Sequence, residues 1–434
     1  MSSTSEKKQQ VSFPIFCKIF SCSTDWISVP LPPNSRVILD LMDGAPIPAN
    51  QERFKVFSYN ILCDTYVNPV NYGYVPSVAL SWDYRKEQIL QEIQTHDPDF
   101  VCLQEVDDLN YQEFFRMKLA YNDYKGHFGQ KSRARTMTDK DQKAAVDGCA
   151  TFHKASKYIL LDKAVIDFAN LAINRGDMKN QADIFNRVMP RDHIAIVSFY
   201  ENRLTGTRVI VANAHVFWDP EYSDVKLIQM AILMDWISKK SEEWTKWPAV
   251  KDKKTYKIAD EADPDIPVEA LPEPAPSMEY TNKTQLPLIV CGDLNSKADS
   301  SVFELLATGH VGVDHEDLLG HQYGDFTRYG IDHPFSLRSA YTNVHGTPDE
   351  LTFTNYTPAF VGHIDHIWYS TNTLENTALL GPVDAEYLKR VPGLPHYHFP
   401  SDHIALLAEF SLKGRKEKKT LPEPDFGSSS RRRD

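Results

Sequence analysis

The chain lacks the features that mark several large protein classes. No apolar stretch approaches the roughly 18 residues that a membrane-spanning helix requires. The N-terminal run from Val11 to Phe20 is broken by Pro14 and Lys18, so neither a span nor a secretory leader is expected. Its six cysteines (Cys17, Cys22, Cys63, Cys102, Cys149 and Cys291) form no CxxC pair and no cysteine–histidine spacing that suits zinc. That disfavours a disulfide-stapled scaffold or a zinc module and favours a reducing, intracellular setting. There is no G-x-S-x-G elbow, no P-loop and no Rossmann glycine pattern. Serine hydrolysis, P-loop nucleotide hydrolysis and nicotinamide-linked redox chemistry all lose support. Internal repeats are missing as well.

What remains is ordinary globular material: 434 residues, 42% hydrophobic, 11% aromatic and 24% charged, enough for a large core. A net charge of −12 argues against bulk electrostatic adhesion to nucleic acid or membrane. It leaves a nucleic acid substrate open, because bound cations invert the local charge of an acidic cleft. Residues 1–53, with the proline-rich VPLPPNS, read as a lead-in segment, and 54–412 as one layered domain. Helices are expected over Tyr84 to Thr95, with Ile89, Leu90 and Ile93 on one face, and over Asp224 to Lys239, with Leu227, Met230, Ala231, Met234 and Ile237 in the core. A third follows Asn295, with Ser301 and Glu304 spaced as a capping box and Gly309 as its stop. Residues 241–285 read as a surface insertion whose acidic, proline-rich stretch runs from Asp260 to Pro276, and 413–434 as a basic, disordered tail. Strands alternating with few helices indicate an α/β or α+β layered fold. Periodicity does not separate a parallel sheet from a two-sheet sandwich.

The informative pattern is where the apolar runs stop. FKVFSY leads into Asn60, DFVCLQ into Glu105, RVIVANA into His215, LIVCG into Asp293 and Asn295, and AFVGHI into Asp365; Ser401, Asp402 and His403 stand just before IALLAEF. Buried strands read as short apolar runs, and ligands gather outside strand ends in layered sheet proteins. Any one of these acids alone would be a capping or solvated residue. Together, Glu105, Asp293, Asp365 and Asp402 describe the floor of a site for a hard cation such as Mg²⁺, which takes oxygen ligands and substrate phosphates. His215 and His403 are candidate acid–base or phosphate-contacting groups, and Asp365 can orient His403. A fixed imidazole beside a metal suits phosphoester hydrolysis. Lys131, Arg133 and Arg135 in QKSRARTM form a basic cluster that is either a solvated loop or a phosphate track. Trp218, Phe353, Tyr356 and Phe360 are aromatics near the site of the kind on which bases stack.

These motifs, in this order, resemble the exonuclease–endonuclease–phosphatase superfamily: SYNIL, LQE, AHVFWDP, GDLNS, IDHIW and SDH, over about Phe54 to Leu412. GYVPSVALSWDYR, KSRARTM, VDGCATF, FNRVM and FTNYTPAF narrow the likeness to the carbon catabolite repressor protein 4 deadenylases, nuclease subunits of the Ccr4–Not complex. The resemblance implies an α/β fold, a two-layered β-sandwich flanked by helices, and removal of poly(A) from mRNA 3′ ends with release of AMP. It implies Mg²⁺, two ions being the expected number and Mn²⁺ an acceptable substitute, held by Glu105, Asn60 and Asp402. By the same likeness Asp293 positions or deprotonates the attacking water. Asn295 contacts phosphate or base, His215 touches the scissile phosphate, and His403 paired with Asp365 stabilises the pentavalent phosphate. Pro220 and Phe360 match the pair that sandwiches an adenine. Expected partners are poly(A) RNA and Ccr4–Not subunits, with no membrane, in the cytoplasm and also the nucleus. The family's nucleases usually carry leucine-rich repeats ahead of this domain, and residues 1–53 contain none, which puts docking to the complex in doubt. Two other readings stand beside this one: a phosphatase on a small phosphorylated metabolite such as NADPH, as in the nocturnin relatives, and a catalytically silent scaffold.

Overall fold

The computed structural model describes residues 36–45, 48, 51–253 and 273–414. Most of the lead-in, including Cys17 and Cys22, the heart of the acidic proline-rich stretch and nearly all of the basic tail lie outside the described residues. Two mixed sheets pack face to face. The first has the strand order β1 (Ile38–Asp40), β16 (Leu374–Leu380), β17 (Leu406–Leu412), β2 (Arg53–Asn60), β3 (Phe100–Asp107), β5 (Asp147–Lys154), β4 (Tyr124–Gln130). The second runs β12 (Leu337–Ser339), β15 (Asp365–Ser370), β9 (Leu288–Asp293), β8 (Arg208–His215), β7 (Ile194–Asn202), β6 (Tyr158–Asp167). Two short ribbons, β10 (His310–Val311) with β11 (Ile331–Asp332) and β13 (Asn355–Tyr356) with β14 (Val361–Gly362), complete the strands.

Period-two patterning sorts the side chains into layers. In β2, Phe54 and Val56 face the other sheet, meeting Val209, Val211, Ile289 and Ile367. Phe57 and Tyr59 face outward and pack under Ile89, Leu90 and Ile93 of the helix Trp82–His96. On the far side Ala212, Ala214 and Val290 pack beneath Leu227, Met230, Met234 and Ile237 of the helix Ser223–Trp244. These two helices are the crossovers of the two parallel pairs, β2 with β3 and β8 with β9, as parallel pairing demands. The result is a β-sandwich with a helical layer on each face. Cys63, Cys102, Cys149 and Cys291 are buried free thiols.

Four sequence expectations need correction. The AFVGHI run is not one strand: Val361–Gly362 belongs to a ribbon and Asp365 opens β15. The third helix, Ser301–Thr308, is capped by Ser300, whose Oγ accepts from Phe303 N at 3.2 Å, one residue before the expected cap. Gly309 does stop it, at φ 79°. The lead-in is not wholly separate, since Ile38–Asp40 adds an edge strand to the first sheet. Phe353 is a core residue, and Tyr356 packs against the same core.

Arg85, completely buried on the first crossover helix, fastens the loops above the sheet edge. Its Nη1 donates to Ile61 O (3.1 Å), Leu62 O (2.9 Å) and Pro400 O (3.2 Å), and its Nε to Leu80 O (3.2 Å). The chain after β2 and the chain before β17 are therefore held by one guanidinium. Arg85→Leu strands those carbonyls without donors, and a loss of at least about 3 kcal/mol is expected from buried unpaired acceptors. A lower urea midpoint at unchanged m-value is the expected reading.

Candidate active site

Six strand termini deliver polar side chains to one edge of the sandwich. Asn60 and Glu105 lie at the ends of the parallel strands β2 and β3. His215 and Asp293 end β8 and β9 as register partners. Asp365, first residue of the antiparallel β15, pairs with Asp293 in turn. Ser401, Asp402 and His403 arrive just before β17, and His403 bridges to Asn355.

Glu105 owes its place to a β-bulge. Pairing between β3 and β5 slips between Gln104 and Val106, and Glu105 takes the left-handed region at φ 61°. Leu103 and Val106 both point at the outer core, so the extra residue is released from the alternation and Glu105 avoids the apolar layer. That conformation costs a non-glycine residue about 1–3 kcal/mol. Gly292, at φ 135°, serves Asp293 similarly: a Cβ there would lie 1.9 Å from Ala214 O.

The Asn60 amide joins the two sheets. Its Nδ2 donates to Glu105 Oε1 at 3.0 Å and to Asp293 Oδ2 at 2.9 Å, while Oδ1 accepts from Leu62 N at 3.1 Å. In this orientation Asn60 offers the site donors rather than a lone pair. Glu105 Oε2 accepts from Cys63 N at 3.0 Å. Asp293 Oδ1 accepts from Asn295 N at 2.9 Å, and Asn295, itself at φ 47°, donates through Nδ2 to Val216 O at 3.0 Å. Asp402 accepts from Tyr72 Oη at 2.9 Å.

Two imidazoles face one carboxylate oxygen: His403 Nε2 is 3.7 Å and His215 Nε2 3.8 Å from Asp293 Oδ2. His403 Nδ1 is bound to Asp365 Oδ2 at 2.7 Å. Burial opposes a charge on His403, but the Asp365 and Asp293 carboxylates outweigh it and hold its pKa well above the usual range. His215 is pushed well below, by burial and then by Lys131. Burial and the neighbouring Asp365 push Asp293 up to about 7, and burial followed by Asp147 raises Glu105. One imidazole is therefore a cation and the other neutral.

The buried cluster Asp293, Asp365 and His403 brings its ligand atoms within 4.8 Å of one another and could hold a metal ion. Carboxylates pushed toward their protonated forms beside a solvent cleft fit a hard divalent cation.

A cleft of ≈ 690 Å³ opens on the site. Glu105, His215, Asp293, Asn295, Asp402 and His403 line it, and so do Pro220 and Phe360 on its wall. Asn60 and Asp365 sit behind, touching the liners. Trp218 is 63% and Phe360 39% exposed, so both offer ring surface. The basic cluster stands beside the site and outside the cleft lining. Lys131 is buried against Asp147 at 2.7 Å, Arg133 pairs with Asp147 at 3.0 Å and Asp192 at 2.6 Å, and Arg135 pairs with Asp167 at 2.7 Å. None of the three lines the cleft.

Tyr72, Asn355, Lys226 and Lys297 also line the cleft and were missed in the sequence. Lys226 did carry a signal: it is a lone charge inside VKLIQMAILM, a helical stretch buried on all sides.

The chain belongs to the endonuclease/exonuclease/phosphatase family, whose model matches residues 57–242 and 244–403. It is 56% identical over 393 residues (90% of this chain) to the CCR4-Not complex 3′-5′-exoribonuclease subunit Ccr4 of Neurospora crassa. With the protein of the same name from Phaeosphaeria nodorum it shares 54% identity over 390 residues, again 90% of this chain. It spans 49% of the length of the first and 64% of the second. Among solved structures it superposes on ANGEL2, a 2′,3′-cyclic phosphatase, with a TM-score of 0.62 at 24% identity, covering 87% of this chain and 98% of that one. The human Nocturnin catalytic domain follows at 0.54 and 20%, covering 88% and 100%. These likenesses establish the fold as the two-sheet sandwich the motifs implied. Among the described residues no helix is long and apolar enough to cross a membrane.

A proton on Asp293 and a cation held beside it oppose one another, because the cation favours the ionised carboxylate. Because Asp293 holds its proton up to about 7 in the metal-free protein, Mg²⁺ affinity is expected to weaken as pH falls through that value. Binding at pH 6 should release protons, and release should fade by pH 8. Calorimetry in buffers of different ionisation enthalpy reads this directly. Asp293→Asn is expected to flatten the profile.

Proposed function

We propose that this domain is a Mg²⁺-dependent 3′–5′ exoribonuclease that removes poly(A) from mRNA and releases AMP. The observation that carries the reading is the 54–56% identity, over 90% of the chain, to proteins named 3′-5′-exoribonuclease subunits, combined with polar strand-end residues gathered at one cleft. Glu105 and Asp402 would hold the cation, with Asn60 fixing Glu105 against Asp293. When bound, the metal neutralises phosphate charge and acidifies an attacking water.

The chain's own residues supply the rest. Asp293, ionised above about 7 without metal and lower with a cation beside it, takes the proton of the attacking water. Asn295 N holds one oxygen of Asp293, which aims the other at the nucleophile. His403, kept cationic by Asp365, donates to the phosphoryl oxygens as charge builds on them. His215 stays neutral and contacts the scissile phosphate. Pro220 and Phe360 would sandwich an adenine, each stack being worth about 1–3 kcal/mol. Every base has a π-face, so this wall sets a preference rather than an absolute code.

Membership of the CCR4-Not complex is proposed from the relatives' name, together with a cytoplasmic and nuclear setting.

The test uses 5′-labelled RNA ending in oligo(A) beside RNA ending in mixed sequence, each with Mg²⁺, with EDTA, and with Glu105→Ala. A ladder on the oligo(A) end only, abolished in both controls, is expected. Turnover of NADPH without shortening of RNA would move the reading to a small-molecule phosphatase, and no turnover of either to a scaffold. Phe360→Ala should lower the A-to-U rate ratio by about 5- to 100-fold, the loss of one stack, while general cleavage changes less. An unchanged ratio would remove the stacking assignment.

A further inference from the structure

Lys226 occupies an unusual electrostatic position. It lies in the first turn of the helix Ser223–Trp244, is only 7% exposed, and lines the cleft. Its ammonium has three N–H donors, and one goes to Asn295 O at 2.9 Å. Among the described residues no carboxylate lies within the 4.0 Å of an ion pair. Asp293, Asp219 and Asp317 act on it only from a distance.

A buried ammonium without a counter-charge is costly. Holding a neutral carbonyl does not need a charge, since an amide donor would serve. The contrast with the other cations is direct. Lys131, Arg133 and Arg135 are already neutralised by Asp147, Asp192 and Asp167. Apart from His403, whose charge is met by Asp365 at 2.7 Å, Lys226 and Lys297 are the cations among the described cleft-lining residues. Lys297 Nζ sits 5.3 Å over the Phe360 ring at the exposed lip, so Lys226 is the one at depth, beside Asn295.

We propose that Lys226 binds a phosphodiester oxygen of the RNA strand in the cleft, with one N–H on Asn295 O and the others on the substrate. The inference rests on the exoribonuclease reading above and assigns that site a substrate contact the motifs did not contain. It also gives the chain a net-acidic route to a polyanion: one uncompensated charge placed where the strand passes, rather than a basic surface.

The experiment measures kcat and KM for oligo(A) shortening across a series of KCl concentrations in wild type, Lys226→Gln and Lys226→Arg. Lys226→Gln is expected to raise KM by about 10- to 100-fold, the loss of one charge-assisted hydrogen bond, and to change kcat much less. The slope of log KM against log salt should fall by about 0.7, the value for one phosphate contact on a single strand. Lys226→Arg should restore the slope. A merely structural role at Asn295 would lower kcat and leave the slope alone, and that result overturns the proposal, as does an unchanged KM. Lys226→Met, which keeps the apolar stem, repeats the measurement should the glutamine variant not fold. Wild-type protein that fails to shorten oligo(A) at all would instead remove the exoribonuclease reading and this contact with it.

Discussion

Everything at the working edge depends on two sheets being held at a fixed separation, and the Asn60 amide is the pin. It donates to a carboxylate from each sheet, Glu105 in the first and Asp293 in the second. A deeper pin sits beneath it. Gln104 Nε2 donates to Asn213 Oδ1 at 2.8 Å across the sandwich, and Asn213 Nδ2 donates back to Leu103 O and Ala150 O. Buried amides of this kind are costly unless satisfied. Sheets joined only by aliphatic packing could slide, and the carboxylates would lose their common focus.

Much of this edge was legible because strand interiors and strand ends obey different chemistry. A run such as LIVCG must be buried, so the polar residue after it must lie at a lip. That reasoning located Asn60, His215 and Asp293 without any knowledge of pairing. It was less complete for Glu105, whose position depends on a bulge that no local composition announces. It misread the run before Asp365, because a ribbon and a strand laid end to end look like one apolar run, yet it placed Asp365 beside His403, where the structure has it. The basic cluster failed for a different reason. Sequence displays charges without their partners, and Asp147, Asp167 and Asp192 are distant in the chain from the side chains they neutralise. The same blindness applies to Lys226, where the telling fact is that no carboxylate among the described residues pairs with it.

Fold and function separate cleanly in this family. The sandwich is shared with proteins at 20–24% identity, and such a likeness fixes the architecture without fixing the substrate. On the proposed reading, choice of substrate falls to the cleft wall, where Pro220, Phe360, Lys226 and Lys297 stand outside the strand framework. These positions can change without disturbing the pins beneath them.

The pairing of β2 with β17, Ser58 opposite Leu406, has a consequence for how the molecule comes into being. Strand β2 has β17 on one side and β3 on the other, so the first sheet stays open until the C-terminal end of the domain has been synthesised. Asn60 leaves the ribosome long before Asp402 and His403, which are among the last residues of the domain. Contacts between such distant segments form slowly, and domains fold as units during synthesis. A nascent chain therefore carries half the site through most of the domain's synthesis, and the strand-end residues meet only when the final strand closes the sheet.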